Sequence, residues 1–246
     1  MIPVSSLAYS VPASKAISVL AVDPELGEGL NDEDLELAQR HALAFTFAIS
    51  KGQLPPLASP ADDDAQVFGL LILSGLVLRE VEVAGRETAE LLGHGDLIRP
   101  WDEDALEPLP GTVRWTVLEP GKVAALDRRF AAVAGRFPTI LETLSARAEG
   151  RAQLLSLQRA LTQIPRVETR VIALLWRLAE RWGVVSAEGV QLALPLTHAT
   201  IAKLVSARRP SVTTALGKLA DDGLIEKVPE GYRLLGDPAE FIGAML

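Results

Sequence analysis

Residues 196–235 read LTHATIAKLVSARRPSVTTALGKLADDGLIEKVPEGYRLL, and three elements follow one another within them. Thr197 is placed to cap a first helix, whose apolar residues are Ile201, Leu204 and Val205. Ser206, Ala207 and Arg208 make a short break. Pro210 suits the first turn of a second helix, where its missing N–H costs little. Val212, Ala215, Leu216 and Leu219 form that helix's apolar face, while Arg209, Pro210, Thr213, Thr214 and Gly217 fall largely on the other side. Gly223 ends it. Two runs, 224–228 and 232–235, then flank Val228-Pro229-Glu230-Gly231, whose Pro and Gly positions fit a type I turn. The pattern is a helix-turn-helix followed by a β-hairpin wing. The outer side of the second helix is slim, and basic and hydroxyl residues sit near its N-terminus. A helix that enters the DNA major groove needs both features, because its first residues reach the base edges. An Arg there can bond a guanine bidentately, and a Thr can touch phosphate or a thymine methyl. The expected DNA contacts are Thr197, Arg208, Arg209, Pro210, Ser211, Thr213, Thr214 and Lys218, with Arg209 on a base edge and Arg208 and Lys218 on phosphates.

Toward the N-terminus, Pro165 opens another helix, with Val167, Val171, Leu174, Leu178 and Trp182 on one face and Gly183 as its stop. Val190, Leu192 and Leu194 alternate as a short strand. Before this module comes a long helical stretch over 138–163, which would run about 39 Å. Leu141, Leu144, Ala148, Ala152 and Leu155 share one stripe on it, spaced 3, 4, 4 and 3 residues apart. The stripe reads as a dimer seam or as packing on its own domain. Arg147, Arg151 and Gln158 spoil a strict heptad.

Residues 1–127 are strand-rich after a short helical start. Asn31 is an N-cap, with Asp32, Glu33 and Asp34 in the first turn. Leu43, Phe45, Phe47 and Ile49 alternate with Ala44, Thr46 and Ala48, the period of a half-buried strand. Residues 67–73 and 76–83 read as two strands joined at Ser74-Gly75. Val113, Trp115 and Val117 form another strand, Glu119-Pro120-Gly121-Lys122 a turn, and 123–126 a last strand. Short strands without long intervening helices indicate an antiparallel barrel or roll. Asp62-Asp63-Asp64 and Asp102-Glu103-Asp104 lack calcium-loop spacing and read as solvated loops.

Composition narrows the function. Of 246 residues, 48% are hydrophobic and 23% charged, which is globular. With no cysteine, disulfides, thiolate metal sites and thiol nucleophiles are excluded. Three separated histidines, His41, His94 and His198, argue against a multi-histidine metal site, so no metal and no cofactor are expected. The longest apolar run, 68–78, is too short to span a bilayer, and no signal-peptide pattern opens the chain, so a cytoplasmic location is expected. Net charge is −8, but residues 1–165 carry −9 and residues 166–246 carry +1. That balance speaks against non-specific coating of nucleic acid and fits one specific contact from the C-terminal part. No catalytic constellation, phosphate-binding loop or nucleophile elbow is present. Two other readings stand beside DNA binding. One is a small-molecule-binding protein whose winged helix serves protein–protein contact. The other is a β-roll enzyme using Asp96, Asp102 or Asp104 with His94, which would call for clustered histidines.

The sequence resembles the Crp/Fnr family of bacterial transcription regulators. Specific matches are Leu196-Thr197, residues 201–205, residues 209–213, Leu216, Leu219 and residues 223–225, and the order of elements matches over nearly the whole chain. The resemblance implies an α+β fold with an N-terminal antiparallel β-roll like a cyclic-nucleotide-binding domain (1–127), a dimerisation helix (128–163) and a winged helix-turn-helix (164–246). It implies a homodimer on double-stranded DNA and admits RNA polymerase as a partner. The family's base-reading positions fall on Arg209, Pro210 and Thr214. Pro210 replaces the usual acidic residue and Thr214 the later basic one, so the operator should depart from the family's usual sequence. Gly93-His94-Gly95-Asp96 resembles a family turn, and a histidine binds haem in some relatives, although His94 reads as an exposed turn residue. Cyclic AMP is not expected as effector. Relatives that bind it use an Arg followed by Ser or Thr, and residues 97–113 contain only Arg99, with Asp102, Glu103, Asp104 and Glu107 to repel a phosphodiester.

Overall fold

The computed structural model describes residues 16–54, 67–101 and 110–237. Its architecture is the expected α+β one, with an antiparallel sheet, a long helix and a C-terminal winged helix-turn-helix. The chain divides into two compact units. One comprises Met1–Leu78, Leu92–Glu107 and Arg114–Gly150, and the other Arg79–Leu91, Pro108–Val113 and Arg151–Leu246, each as far as the described residues reach.

The N-terminal elements are β1 (Ala16–Ser18), α1 (Val19–Val22), a 3-10 turn (Pro24–Gly27), α2 (Asp32–His41), β2 (Leu43–Ile49), β3 (Gly52–Gln53), β4 (Gly69–Val83), β5 (Arg86–Leu92), β6 (Leu97–Ile98), β7 (Gly111–Leu126), α3 (Arg128–Ala134) and α4 (Pro138–Leu161). The sheet runs β1-β2-β7-β4-β5, with β3 on β7 and β6 on β4. Asn31 caps α2 as expected, its side chain accepting from Asp34 N–H at 2.9 Å. Asp127 caps α3 in the same way, taking N–H groups from Arg129 and Phe130. Phe130, Ala134, Phe137, Ile140 and Leu144 extend the core of the first unit along α3 and α4, against Leu20, Leu26, Leu71 and Leu126.

Two strand expectations are corrected. Residues 67–83 do not form two strands joined at Ser74-Gly75: β4 runs on through them. The expected turn at Glu119–Lys122 is likewise interior to a 16-residue β7. These two corrections share one cause. Gly75 takes a φ of +92°, and Gly121 lies against it so closely that a Cβ there would overlap the Ser74 carbonyl. The Ser74 hydroxyl accepts from Lys122 N–H at 3.1 Å. The turn-like residues thus make a matched kink in two long strands. β2 lies where the alternation places it; at its start Leu43 and Phe45 are exposed at 41% and 49% while Ala44 is buried, and Ile49 is buried at its end. Ala44 belongs to the core with Ala38 and Ala42.

In the second unit, α5 (Val167–Trp182), β8 (Gly183–Ser186), β9 (Gly189–Leu192), α6 (His198–Leu204), α7 (Arg209–Asp221), β10 (Ile225–Val228) and β11 (Gly231–Leu234) form the C-terminal module. Its sheet order is β10-β11-β9-β8, antiparallel throughout. Gly183 ends α5 but is extended rather than left-handed. Its glycine is required by the Ala179 carbonyl and Val190, on which a Cβ would intrude. The β4–β5 hairpin segment of this unit meets α4 and α6. Arg151 pairs with Glu90, and Lys203 pairs with Glu80 and Glu87. The Gln158 amide donates to both Ala89 O and Leu204 O at 2.8 Å.

Among the described residues no helix is long and apolar enough to cross a membrane, and no three His, Asp or Glu side chains gather to hold a metal ion. Asp62, Asp63, Asp64, Asp102, Glu103, Asp104 and Glu107 lie outside the described residues.

Candidate nucleic-acid interface

Thr197 caps α6 through its hydroxyl, which accepts from Thr200 N–H at 3.0 Å. Ile201, Leu204 and Val205 are buried, and so are Val212, Ala215, Leu216 and Leu219 on α7, as the spacing indicates. Between the helices, Ser206 adopts a φ of +51°. Arg170 on α5 donates to the Val205 and Ser206 carbonyls at 2.9 and 3.2 Å, satisfying acceptors that the end of α6 leaves open. The bond to Val205 spans 35 residues, and nothing local in the sequence announces it.

With the apolar face of α7 turned inward, the remaining positions face out. Arg208, Arg209, Pro210, Ser211, Thr213, Thr214, Gly217 and Lys218 are all exposed, and so is Thr197. A Cβ at Gly217 would meet nothing within 4 Å, so this side of the helix is open and narrow. Arg208 and Arg209 make no side-chain hydrogen bond or ion pair among the described residues, which leaves both guanidiniums free for a partner. Thr213 and Thr214 donate to the carbonyls four residues back, Arg209 and Pro210, at 3.2 Å each. Lys218 is engaged: it pairs with Glu168 at 3.2 Å. Glu168 also accepts from Arg166. A backbone hydrogen bond at the start of α5, then those two cations, hold the Glu168 carboxyl at about 2. Sequence reading gave neither Glu168 nor His198 a place here, yet His198 Nδ1 lies 2.9 Å from Thr213 Oγ1. On the wing, Lys227 lies over the Tyr232 ring at 4.1 Å, and Arg233 bonds Glu226 and Glu188.

The helix α4 carries the expected seam residues. Leu141 and Leu155 are 43% and 39% exposed, and Ala148 and Ala152 are exposed with them. Leu154 and Leu157 add further exposed apolar surface. Leu144 is the correction to that set: it is buried within the core of the first unit, where it packs with Ile140 and Phe137. Arg147 and Arg151, which break the heptad, are used within the chain. Arg147 grips the fully buried Asp23 bidentately at 2.6 and 2.8 Å and also bonds Glu25. The hydrogen bond to Asp23 raises the Arg147 pKa above its usual value. In the Gly93–Asp96 turn, the Asp96 carboxylate accepts Gly93 N–H at 2.7 Å and Gly95 takes a φ of +84°. His94 Nδ1 meets Leu73 O at 2.9 Å, and its side chain is 47% exposed.

A winged helix-turn-helix whose second helix has an exposed basic N-terminus is the kind of module that enters a DNA groove, and here it shares a chain with an antiparallel sheet and a long helix. Residues 169–239 match the family model of the Crp-like helix-turn-helix domain. Solved structures with the same fold include a CooA double mutant from Carboxydothermus hydrogenoformans, 18% identical with a TM-score of 0.64, covering 94% of this chain and 96% of that one. FixK2 from Bradyrhizobium japonicum is 17% identical with a TM-score of 0.60, covering 82% and 96%. A CRP/FNR-family transcriptional regulator from Thermus thermophilus is 21% identical with a TM-score of 0.55, covering 81% and 97%. No curated protein matches the chain significantly. The C-terminal module is a Crp-like helix-turn-helix domain, and the chain as a whole has the fold of the Crp/Fnr transcription regulators.

Proposed function

We propose that the chain acts as a homodimer that binds two-fold symmetric double-stranded DNA through α7, under control of an effector or partner sensed by the N-terminal roll. The observation that carries this is the outward face of α7, where Arg208 and Arg209 stand free beside Pro210, Thr213, Thr214 and an open Gly217. Arg209 is the base reader, in the first turn of the helix, and Arg208 meets phosphate. Lys218 also serves the phosphate backbone once it exchanges Glu168 for a phosphodiester. The exposed leucines of α4, with Ala148 and Ala152 between them, support association of two copies along that helix. The roll acts by biasing the placement of the winged modules, which requires different effector affinities in the two placements. RNA polymerase is a further partner of this reading, and its site of action is the cytoplasm.

Selection of operators from a random duplex library tests the proposal. The expected product is a two-fold symmetric motif whose half-sites lie about 34 Å apart, one helical turn. Selection that enriches no sequence, at low salt and with the full chain, would overturn it.

A further inference from the structure

We infer that DNA binding by this chain takes up a proton on His198, making the imidazole a pH-dependent phosphate contact beside the reading helix; the inference rests on the DNA-binding reading above. His198 is the first residue of α6 and stays partly exposed. Its Nδ1 lies 2.9 Å from Thr213 Oγ1, on the outward side of α7. Thr213 Oγ1 in turn donates to Arg209 O at 3.2 Å. A hydroxyl has a single hydrogen, so a Thr213 hydroxyl committed to Arg209 accepts from His198, and Nδ1 is the donor. Neutral imidazole has only one N–H, which leaves Nε2 with a bare lone pair.

That lone pair and a phosphate oxygen are both acceptors and repel. Protonation converts Nε2 into a charge-assisted donor and turns the contact from unfavourable to favourable. The proton comes from solvent, and no other group changes. Imidazole is the side chain that can change charge between about pH 5 and 8 without special tuning.

The charged groups on the two helices that meet here are Lys203 on α6 and Arg209, Lys218 and Asp221 on α7, with Arg208 at its N-cap. Lys203 is paired with Glu80 and Glu87, and Lys218 with Glu168. Arg208 and Arg209 make no ion pair among the described residues. No carboxylate pairs with His198 among the described residues. The opposite charge that favours the imidazolium therefore arrives with the DNA.

The experiment uses the full chain and a mixed-sequence duplex of about 40 bp, long enough for two half-sites one turn apart. Affinity is read by fluorescence anisotropy across a salt series at about pH 6 and about pH 8. Affinity should fall about five- to tenfold at the higher pH. The slope of log K against log salt should shrink by about 0.9 per engaged module, the signature of one lost phosphate contact. His198→Gln keeps an amide donor toward Thr213 but cannot charge, so it should be flat in pH with the shallow slope. His198→Arg should hold the steep slope at both pH values. A wild-type chain that tracks His198→Gln, or whose salt slope does not change with pH, overturns the inference. Absence of binding to any duplex at either pH would instead overturn the DNA-binding reading itself.

Discussion

Arg209 and Lys218 both face outward from α7, but they should fail differently when removed. Arg209 is free and sits in the first turn, so Arg209→Ala should cost about 1–3 kcal/mol and relax the preference at one base pair of each half-site. Lys218→Ala should weaken binding alike on all sequences, and measurement on the selected operator and on a scrambled duplex separates the two outcomes. Glu168 supports a prediction of its own. Its carboxyl is held at about 2, below the ordinary 4.5, so the stabilisation is fully present above pH 4.5 and disappears as pH falls through about 2. Thermal melts between those limits should therefore show wild type losing more stability than Glu168→Gln. Arg209 could be found from sequence because helical spacing alone separates the inner and outer faces of α7. Arg170, Glu168 and His198 could not, because their partners are 35, 50 and 15 residues away and depend on how three helices pack.

Helices were more legible than strands. The stripe on α4, the caps Asn31 and Thr197, and the break at Ser206–Arg208 all follow from rules that act within a few residues. β4 and β7 obey a constraint between strands: Gly75 and Gly121 permit each other's backbone, and each alone resembles a turn. The inward set of β2 depends on which residues its neighbours leave space for, and alternation cannot say which parity that is. The α4 stripe needs the same distinction. Leu155→Glu places a charge on an exposed surface of the single chain, so it should leave the fold intact and yield monomers by sedimentation. Leu144→Glu places a charge in the core of the first unit and should reduce folded protein instead, visible as a lowered melting temperature.

Charge is divided along the chain, with −9 before residue 166 and +1 after it. A protein so divided should approach DNA with its C-terminal module and be repelled elsewhere, which favours one orientation of encounter. The same acidity bears on the effector. Residues 97–113 offer a phosphodiester only Arg99 against four carboxylates. Calorimetric titration with cyclic AMP and cyclic GMP should therefore register no binding in the micromolar range, and a micromolar dissociation constant for either would refute the assignment.

Lys203, Glu80, Glu87, Gln158 and Leu204 form one small network in which a hairpin, a long helix and the first helix of the helix-turn-helix share hydrogen bonds. Gln158 spends both amide hydrogens there. Such positions cannot drift separately. A change at Glu80 leaves the Lys203 ammonium only Glu87, at 3.5 Å, so substitutions at 80 and 203 should be non-additive. In descendants of this sequence the hairpin and the first helix of the reading head are therefore tied to a common history. The exposed residues of α7 take no part in the network and are left at liberty to change without disturbing it.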